Sequence, residues 1–392
     1  MQLTSFIPTM TRPLKILIPM HGFVVWGGGI DLLAVIVKSL RAAAPSENVQ
    51  LLYAVPNSDE GISAESAAAR ARVRAFMQDG QFVPCETDAR GLNLAAVESG
   101  ADVIFPNRLP IRTQHVHRVG YIYDFQHRDR PDWFSAEERA ERDEEFGELV
   151  RRSDAMYCTS QVVAEGLMRY YGIEASRILV MPYTSYVDPD WFQHDPIMAR
   201  AQFGIGSNYL MVCNHFWIHK DHRTVIDAFA ALVQRPEYSD FELVLTGDTN
   251  DFRDPTHYPK LQAHIEALGI SARCHRLGFV PKSTQLALLR GARMLIQPTL
   301  YEGAPGGGAS YEAIGLGILT LLSDIPVNLE VKGEGVRWFK AGDPVDLCHQ
   351  MCAALEQPRD HVDDVTLIAR SHKNLANTGR VLIRFLRQLV AS

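Results

Sequence analysis

Four short segments of this 392-residue chain carry the side chains best suited to chemistry. In the first, Glu302 is followed by Gly303, by the run Gly306, Gly307 and Gly308, and then by Glu312. A carboxylate accepts two strong hydrogen bonds, which suits sugar or ribose hydroxyls. The amides of a glycine loop offer donors to a phosphate or a hexose. Glu312 also fits an ordinary first-turn acid serving a helix dipole, whereas Glu302 precedes the helix. In the second segment, Asn214 to His222, Lys220 leads into a helix. There an ammonium can neutralise a diphosphate as a point charge, the plain alternative being a solvated surface lysine. His215, His219 and His222 fall at i, i+4 and i+7. No accompanying carboxylate pattern marks them as a metal site.

The third segment, Gly27, Gly28 and Gly29 before Ile30 and Asp31, lets a ligand approach the backbone and presents free amides to an anion. It equally fits a flexible turn, and it is not G-x-G-x-x-G. In the fourth, Tyr123-Asp124-Phe125-Gln126-His127, Asp124 or His127 is placed to orient a hydroxyl or move a proton. A loop turn with a satisfied histidine is the simpler account.

Each segment follows a short apolar run, and these runs predict the elements that position it. Leu14–Met20, Gln50–Val55, Asp102–Phe105, Val119–Tyr123, Ala155–Cys158 and Ile178–Met181 read as strands of a first half. Helices are expected over Ile30–Ala43, Ala64–Met77 and Ala136–Arg152. The Pro- and Asp-rich stretch from Pro182 to Pro196 reads as a linker. Strands then recur at Tyr209–Cys213, Phe241–Gly247, Cys274–Phe279, Met294–Pro298 and Ile318–Ser323. Helices lie between them, one of them from about Ala309 to Leu316, and a basic amphipathic helix runs from Ser371 to Val390. Strand and helix alternating through both halves predict an α/β fold of two doubly wound parallel sheets. Ligands bind such sheets at the carboxyl ends of the strands, where the four segments lie.

Apolar residues make up 46% of the chain and charged residues 22%, an ordinary globular balance, and the net charge is −7. That balance argues against non-specific nucleic-acid binding. The six cysteines are scattered apart from Cys348 and Cys352, which favours a reducing, cytoplasmic compartment. The start of the chain lacks the charged head and apolar core of a signal peptide. No apolar run reaches the ~18 residues of a spanning helix, and contact with a membrane surface stays open.

Together, HG(x4)GGGIDLL, YDFQHRDRPDWFS, CNHFWIHKDH, LIQPTLYEGAPGGGASYEAIGLG and SDIPVNLEV resemble the retaining glycosyltransferases of family four. The resemblance spans most of the chain. It implies the GT-B fold, two Rossmann-like doubly wound domains facing a central cleft. The expected division is residues 1–190 on the acceptor side, 191–370 on the donor side, and a helix over 371–392 crossing back to the first domain. The implied reaction moves a hexose from a nucleoside-diphosphate sugar to a saccharide or glycolipid hydroxyl with retention. The nucleotide-sugar is a substrate; no cofactor and no metal are expected. By position, Lys220 matches the lysine on the donor diphosphate, Glu302 the acid near the donor sugar, and Glu312 the acid on the ribose. Gly27, Gly28 and Gly29 match the loop over the phosphates and acceptor, and Gly303 and Gly306 to Gly308 the donor loop.

This chain has E-x9-E where the family has E-x7-E, His215 where it has arginine, and Tyr123-Asp124 where many members have His-Asp. His127 is the candidate substitute for that histidine. The other readings are a GT-B sugar-nucleotide epimerase, a non-catalytic scaffold of this fold, and a dehydrogenase, the last disfavoured by the absence of G-x-G-x-x-G.

Overall fold

The computed structural model describes residues 12–25, 27–60, 62–77, 80–251, 253–357 and 362–392. The chain forms two compact units. The first runs through Thr184 and takes in His372–Ser392, and the second is Ser185–Ser371.

The strands of the first unit are β1 (Leu14–Pro19), β2 (Val49–Pro56), β3 (Gln81–Cys85), β4 (Val103–Asn107), β5 (His117–Tyr121), β6 (Ala155–Cys158) and β7 (Ile178–Val180). They form one parallel sheet in the order β3-β2-β1-β4-β5-β6-β7. In β1 and β4 nearly every residue is buried, because helices cover both faces of a parallel sheet. The edge strand β3 is largely exposed and contains Pro84. It lacks an apolar run, so neither it nor the following helix Ala89–Glu98 stands out in the sequence. The charged helix Ala136–Arg152 starts on a capping box: Ser135 accepts from the Glu138 amide (3.1 Å), and Glu138 accepts from the Ser135 amide (2.8 Å).

The last helix spans Asp364–Ala391, beginning earlier than its amphipathic pattern indicates. Asp363 caps it, accepting from the Thr366 amide (2.9 Å). Its later part belongs to the first unit. A Cβ on Gly379 would fall 1.9 Å from the Ser39 carbonyl oxygen, so only glycine allows this approach. The Thr184 and Thr378 hydroxyls meet at 2.5 Å, and Arg387 pairs with Glu47 (2.8 Å).

The second unit repeats the plan with β8 (Tyr209–Cys213), β9 (Glu242–Thr246), β10 (Cys274–Gly278), β11 (Met294–Gln297), β12 (Thr320–Ser323) and β13 (Val336–Phe339). This sheet is also parallel, in the order β10-β9-β8-β11-β12-β13. Leu210, Val212, Phe216, Val225, Phe229 and Leu245 fill its core. In each sheet the chain starts centrally, winds to one edge, then returns to build the other. The strand order therefore reverses between β1 and β4, and between β8 and β11. Such reversals open a crevice at the strands' carboxyl ends. Among the described residues, no helix is long and apolar enough to cross a membrane.

Candidate active site

In the second unit, the segment after β8 is laid down against the end of β9. The Asn214 amide donates to the Thr246 carbonyl (3.0 Å), and the Phe216 amide to the Asp248 carbonyl (2.8 Å). Gly247 has φ +142°, and a Cβ there would fall 2.0 Å from the Asn214 carbonyl oxygen. One turn of 3₁₀ helix, Ile218–Lys220, follows. Asp221 then reverses the chain in the left-handed region (φ +46°) and caps the helix His222–Leu232, accepting from the Thr224 amide at Oδ1 (3.4 Å) and from the Thr224 hydroxyl at Oδ2 (2.6 Å). Asp tolerates this region better than most residues because its short side chain can bond locally.

Lys220 is held between these features. Its ammonium pairs with Glu302 Oε1, and the two side chains are only 12% and 13% exposed. The segment after β11 is brought there by a backbone bond from the Leu300 amide to the His219 carbonyl (2.8 Å). Beneath the pair, Asn214 Nδ2 donates to Gln297 Oε1 (2.7 Å) across the reversal of strand order.

The glycine loop passes the same acid. Gly306 and Gly307 have φ +64° and +67°, and a Cβ on Gly307 would lie 3.1 Å from Gln297 Nε2 and 3.9 Å from Glu302 Oε1. Asn328 fixes the loop, accepting from the Gly306 amide (2.9 Å) and donating to the Ser323 carbonyl (3.0 Å). The helix starts at Gly307, two residues before its expected start, so Gly308 lies in its first turn and Gly303 in the buried turn before it.

Glu312 consequently stands beyond the first turn, which contains no acid, and serving the helix dipole is not its role. It is buried and pairs with Lys282, the first residue of the helix after β10. Lys282 is missing from the sequence reading, although its place just past a strand end is the signal that picks out Lys220. Cys213, at the end of β8, feels both Glu312 and Lys282; burial pushes its thiol up to about 12, so it is a neutral neighbour.

His215 lies just after β8. Its Nδ1 accepts from the Asp248 amide (3.0 Å), and its ring stacks on Trp217 (5.0 Å between centroids). Burial, and then the charge of Lys220, hold its pKa below the usual histidine value. A ring accepting at Nδ1 is neutral and carries its proton on Nε2, so His215 offers one N–H donor and no charge. His219 Nδ1 instead lies beside Arg253 Nη2 (3.3 Å), and His222 is buried against Phe216 (4.3 Å). His215 and His219 both pack against Trp217 while His222 stacks on Phe216, and among the described residues no three His, Cys, Asp or Glu could hold a metal ion.

The first unit carries the remaining candidates. Gly27, Gly28 and Gly29 begin the helix Gly27–Ala43 rather than preceding it, so they form its first turn. Gly27 and Gly28 are exposed, and the Gly28 carbonyl accepts from the Tyr183 hydroxyl (3.2 Å). Asp124, half-buried after β5, accepts from the Gln126 amide (3.0 Å) at the start of a short helix. Arg108, just after β4, lies over the Tyr123 ring (5.0 Å) and donates to the Gly22 carbonyl (3.1 Å). His127 does not fit a role in proton transfer to substrate. It is 1% exposed, lies between Phe125 and Phe146, and its Nε2 is held at 2.9 Å by Asp143, which also binds Arg128. Burial pushes its pKa down, and its contacts are those of a core residue fastening the helix Ala136–Arg152.

A family model described as "Glycosyl transferases group 1" matches residues 197–372. No curated protein matches the chain in sequence. Solved structures match over nearly the whole chain at low identity. HepE of Anabaena, in complex with UDP and glucose, is 15% identical, with 96% of this chain and 98% of that one covered and a TM-score of 0.58. Sucrose-phosphate synthase of Thermosynechococcus elongatus is 14% identical over 96% and 97%, with a TM-score of 0.59. A glycosyltransferase of Rickettsia africae is 12% identical over 97% of both chains, with a TM-score of 0.58. The chain therefore has the two-unit α/β fold of GT-B glycosyltransferases, and Lys220, Lys282, Glu302 and Glu312 all fall within the part that matches the group 1 glycosyl transferases.

Proposed function

We propose that the protein transfers a hexose from a nucleoside-diphosphate sugar to an acceptor hydroxyl with retention of anomeric configuration, in polysaccharide or glycolipid assembly. The observation that carries this reading is the Lys220–Glu302 pair beside a glycine loop at the carboxyl edge of the second sheet. Lys220 would stabilise the charge that builds on the departing diphosphate. Preorganised groups of this kind contribute ~3–4 kcal/mol each to a transition state. Glu302 would take hydroxyls of the donor hexose, and Glu312, held by Lys282, those of the ribose. His215 would donate to a phosphate oxygen through Nε2. In the reaction the anomeric carbon–phosphate oxygen bond breaks, the acceptor oxygen bonds to the same carbon on the same face, and the acceptor proton passes to the leaving diphosphate. Neither metal nor separate base enters this scheme. We assign the acceptor to the first unit, near Gly28 and Asp124, and the reaction to the cytoplasm, with a peripheral position at the inner membrane surface as the setting for a lipid acceptor.

The deciding experiment incubates the protein with UDP-, GDP-, ADP- and TDP-hexoses and saccharide or glycolipid acceptors, and follows the anomeric signals by NMR. An α-linked donor should give an α-linked product. An isomerised donor without transfer would instead mean an epimerase, and an inverted product would remove retention.

A further inference from the structure

The polar loop after β9 buries one acid almost completely: Asp251 is 1% exposed. A buried carboxylate is costly unless paired and hydrogen-bonded, and both its oxygens are engaged. Oδ2 accepts from the Ile218 amide (2.9 Å), and Oδ1 accepts from the amide and Nε of Arg253 (3.1 and 3.2 Å). The Arg253 guanidinium then lies over Trp217 (5.7 Å) and beside His219 Nδ1 (3.3 Å). One buried ion pair thus grips Trp217, Ile218 and His219, the three residues before Lys220. The Lys220 amide itself donates to the Trp217 carbonyl (2.9 Å). A lysine is a point charge on a flexible stem, so where its ammonium sits depends on how firmly its backbone is held.

We propose that Asp251 is a positioning residue for Lys220, fixing the turn Ile218–Lys220 so that the ammonium stays at Glu302 and meets the donor diphosphate. This rests on the donor reading above. Asp251 and Arg253 contact the turn that carries the cation rather than the ammonium's carboxylate partner, so the proposed effect passes through Lys220.

The test is a double-mutant cycle on the full chain, reading dissociation constants for UDP, GDP, ADP and TDP by calorimetry, with melting followed in parallel. Asp251→Asn keeps an acceptor for the Ile218 amide but loses the charge that holds Arg253. It should weaken the nucleotide that binds wild type by about tenfold, and Lys220→Met by about thirtyfold, in line with the loss of charge-assisted bonds. The double variant should be no weaker than Lys220→Met alone, the signature of residues acting as one unit. Equal losses from Asp251→Asn in both backgrounds, or no loss in either, would overturn the proposal, since a purely structural role lowers melting without coupling to Lys220. If Asp251→Asn does not fold, the same cycle with Arg253→Met decides: coupling to Lys220 supports the proposal and additivity overturns it. Wild-type protein that binds none of the four nucleotides would remove the donor reading and this inference together. Additivity in a protein that does bind removes only the positioning role.

Discussion

The crevice between β8 and β11 and the crevice between β1 and β4 arise from the same reversal of strand order but are equipped differently. In the second unit a lysine meets a carboxylate there, with buried amide side chains beneath and a glycine loop alongside. In the first unit the corresponding cation, Arg108, is committed to a backbone carbonyl, an aromatic face and the half-exposed Glu145 (3.3 Å). Gly22, with φ +79°, makes room for it: a Cβ there would fall 2.9 Å from Arg108 Cβ. The lesson is that the doubly wound topology provides the location, while the residues just past each strand decide whether it becomes a site or a brace.

The sharpest way to break the comparison is Lys220→Ala. Turnover should fall at least ~100-fold, as expected for loss of a transition-state charge contact, and the melting temperature should drop as well because Glu302 loses its partner; wild-type turnover would take Lys220 out of the mechanism. Glu302→Gln should follow, lowering turnover ~30-fold while nucleotide affinity falls less, because the role assigned to the acid is at the hexose. Equal loss of both would move Glu302 to the nucleotide or to structure.

Acid sensitivity probes the wall of the second crevice. Burial pushes His222 down to about 3, and its ring is fully enclosed against Phe216. A histidine whose folded pKa lies below its unfolded value stabilises nothing on protonation. The unfolded chain takes up the proton first, so stability falls as pH drops below ~6.5. Between pH 7 and pH 5 that loss amounts to about 2 kcal/mol from this residue alone. His222→Phe preserves the stacking and should flatten the fall in melting temperature over that range. An unchanged pH profile would mean that the ring is protonated in the folded protein.

The smallest effect is expected from Arg108→Ala. Turnover at saturating donor should drop about threefold or less, and stability by about 1 kcal/mol for the lost bonds. A loss as large as that of Lys220→Ala would show that both crevices carry chemistry, and the contrast between them would dissolve.

Much of this was legible in the residues because it is local. The apolar runs of β1, β4, β8 and β11 are short and continuous, as strands covered on both faces must be, and they put Lys220 and Glu302 just past strand ends. The edge strands β3 and β13, partly open to solvent, give no such run. His127 looked available because a histidine after a strand reads the same whether it faces solvent or core. Only the packing of Phe125 and Phe146 around it decides which.

The sequence by itself determined the alternation of elements, the reach of each glycine turn and the residue types at the strand ends, since these follow from side-chain period and backbone sterics within a few residues. Tertiary structure alone decided the partners. Lys220 and Glu302 lie 82 residues apart and meet because β8 and β11 are neighbours in register. Lys282 finds Glu312, and Asp251 is buried under Ile218, for the same kind of reason. An ion pair is chosen by distance and desolvation, and both are properties of the packed sheet rather than of the chain's local pattern.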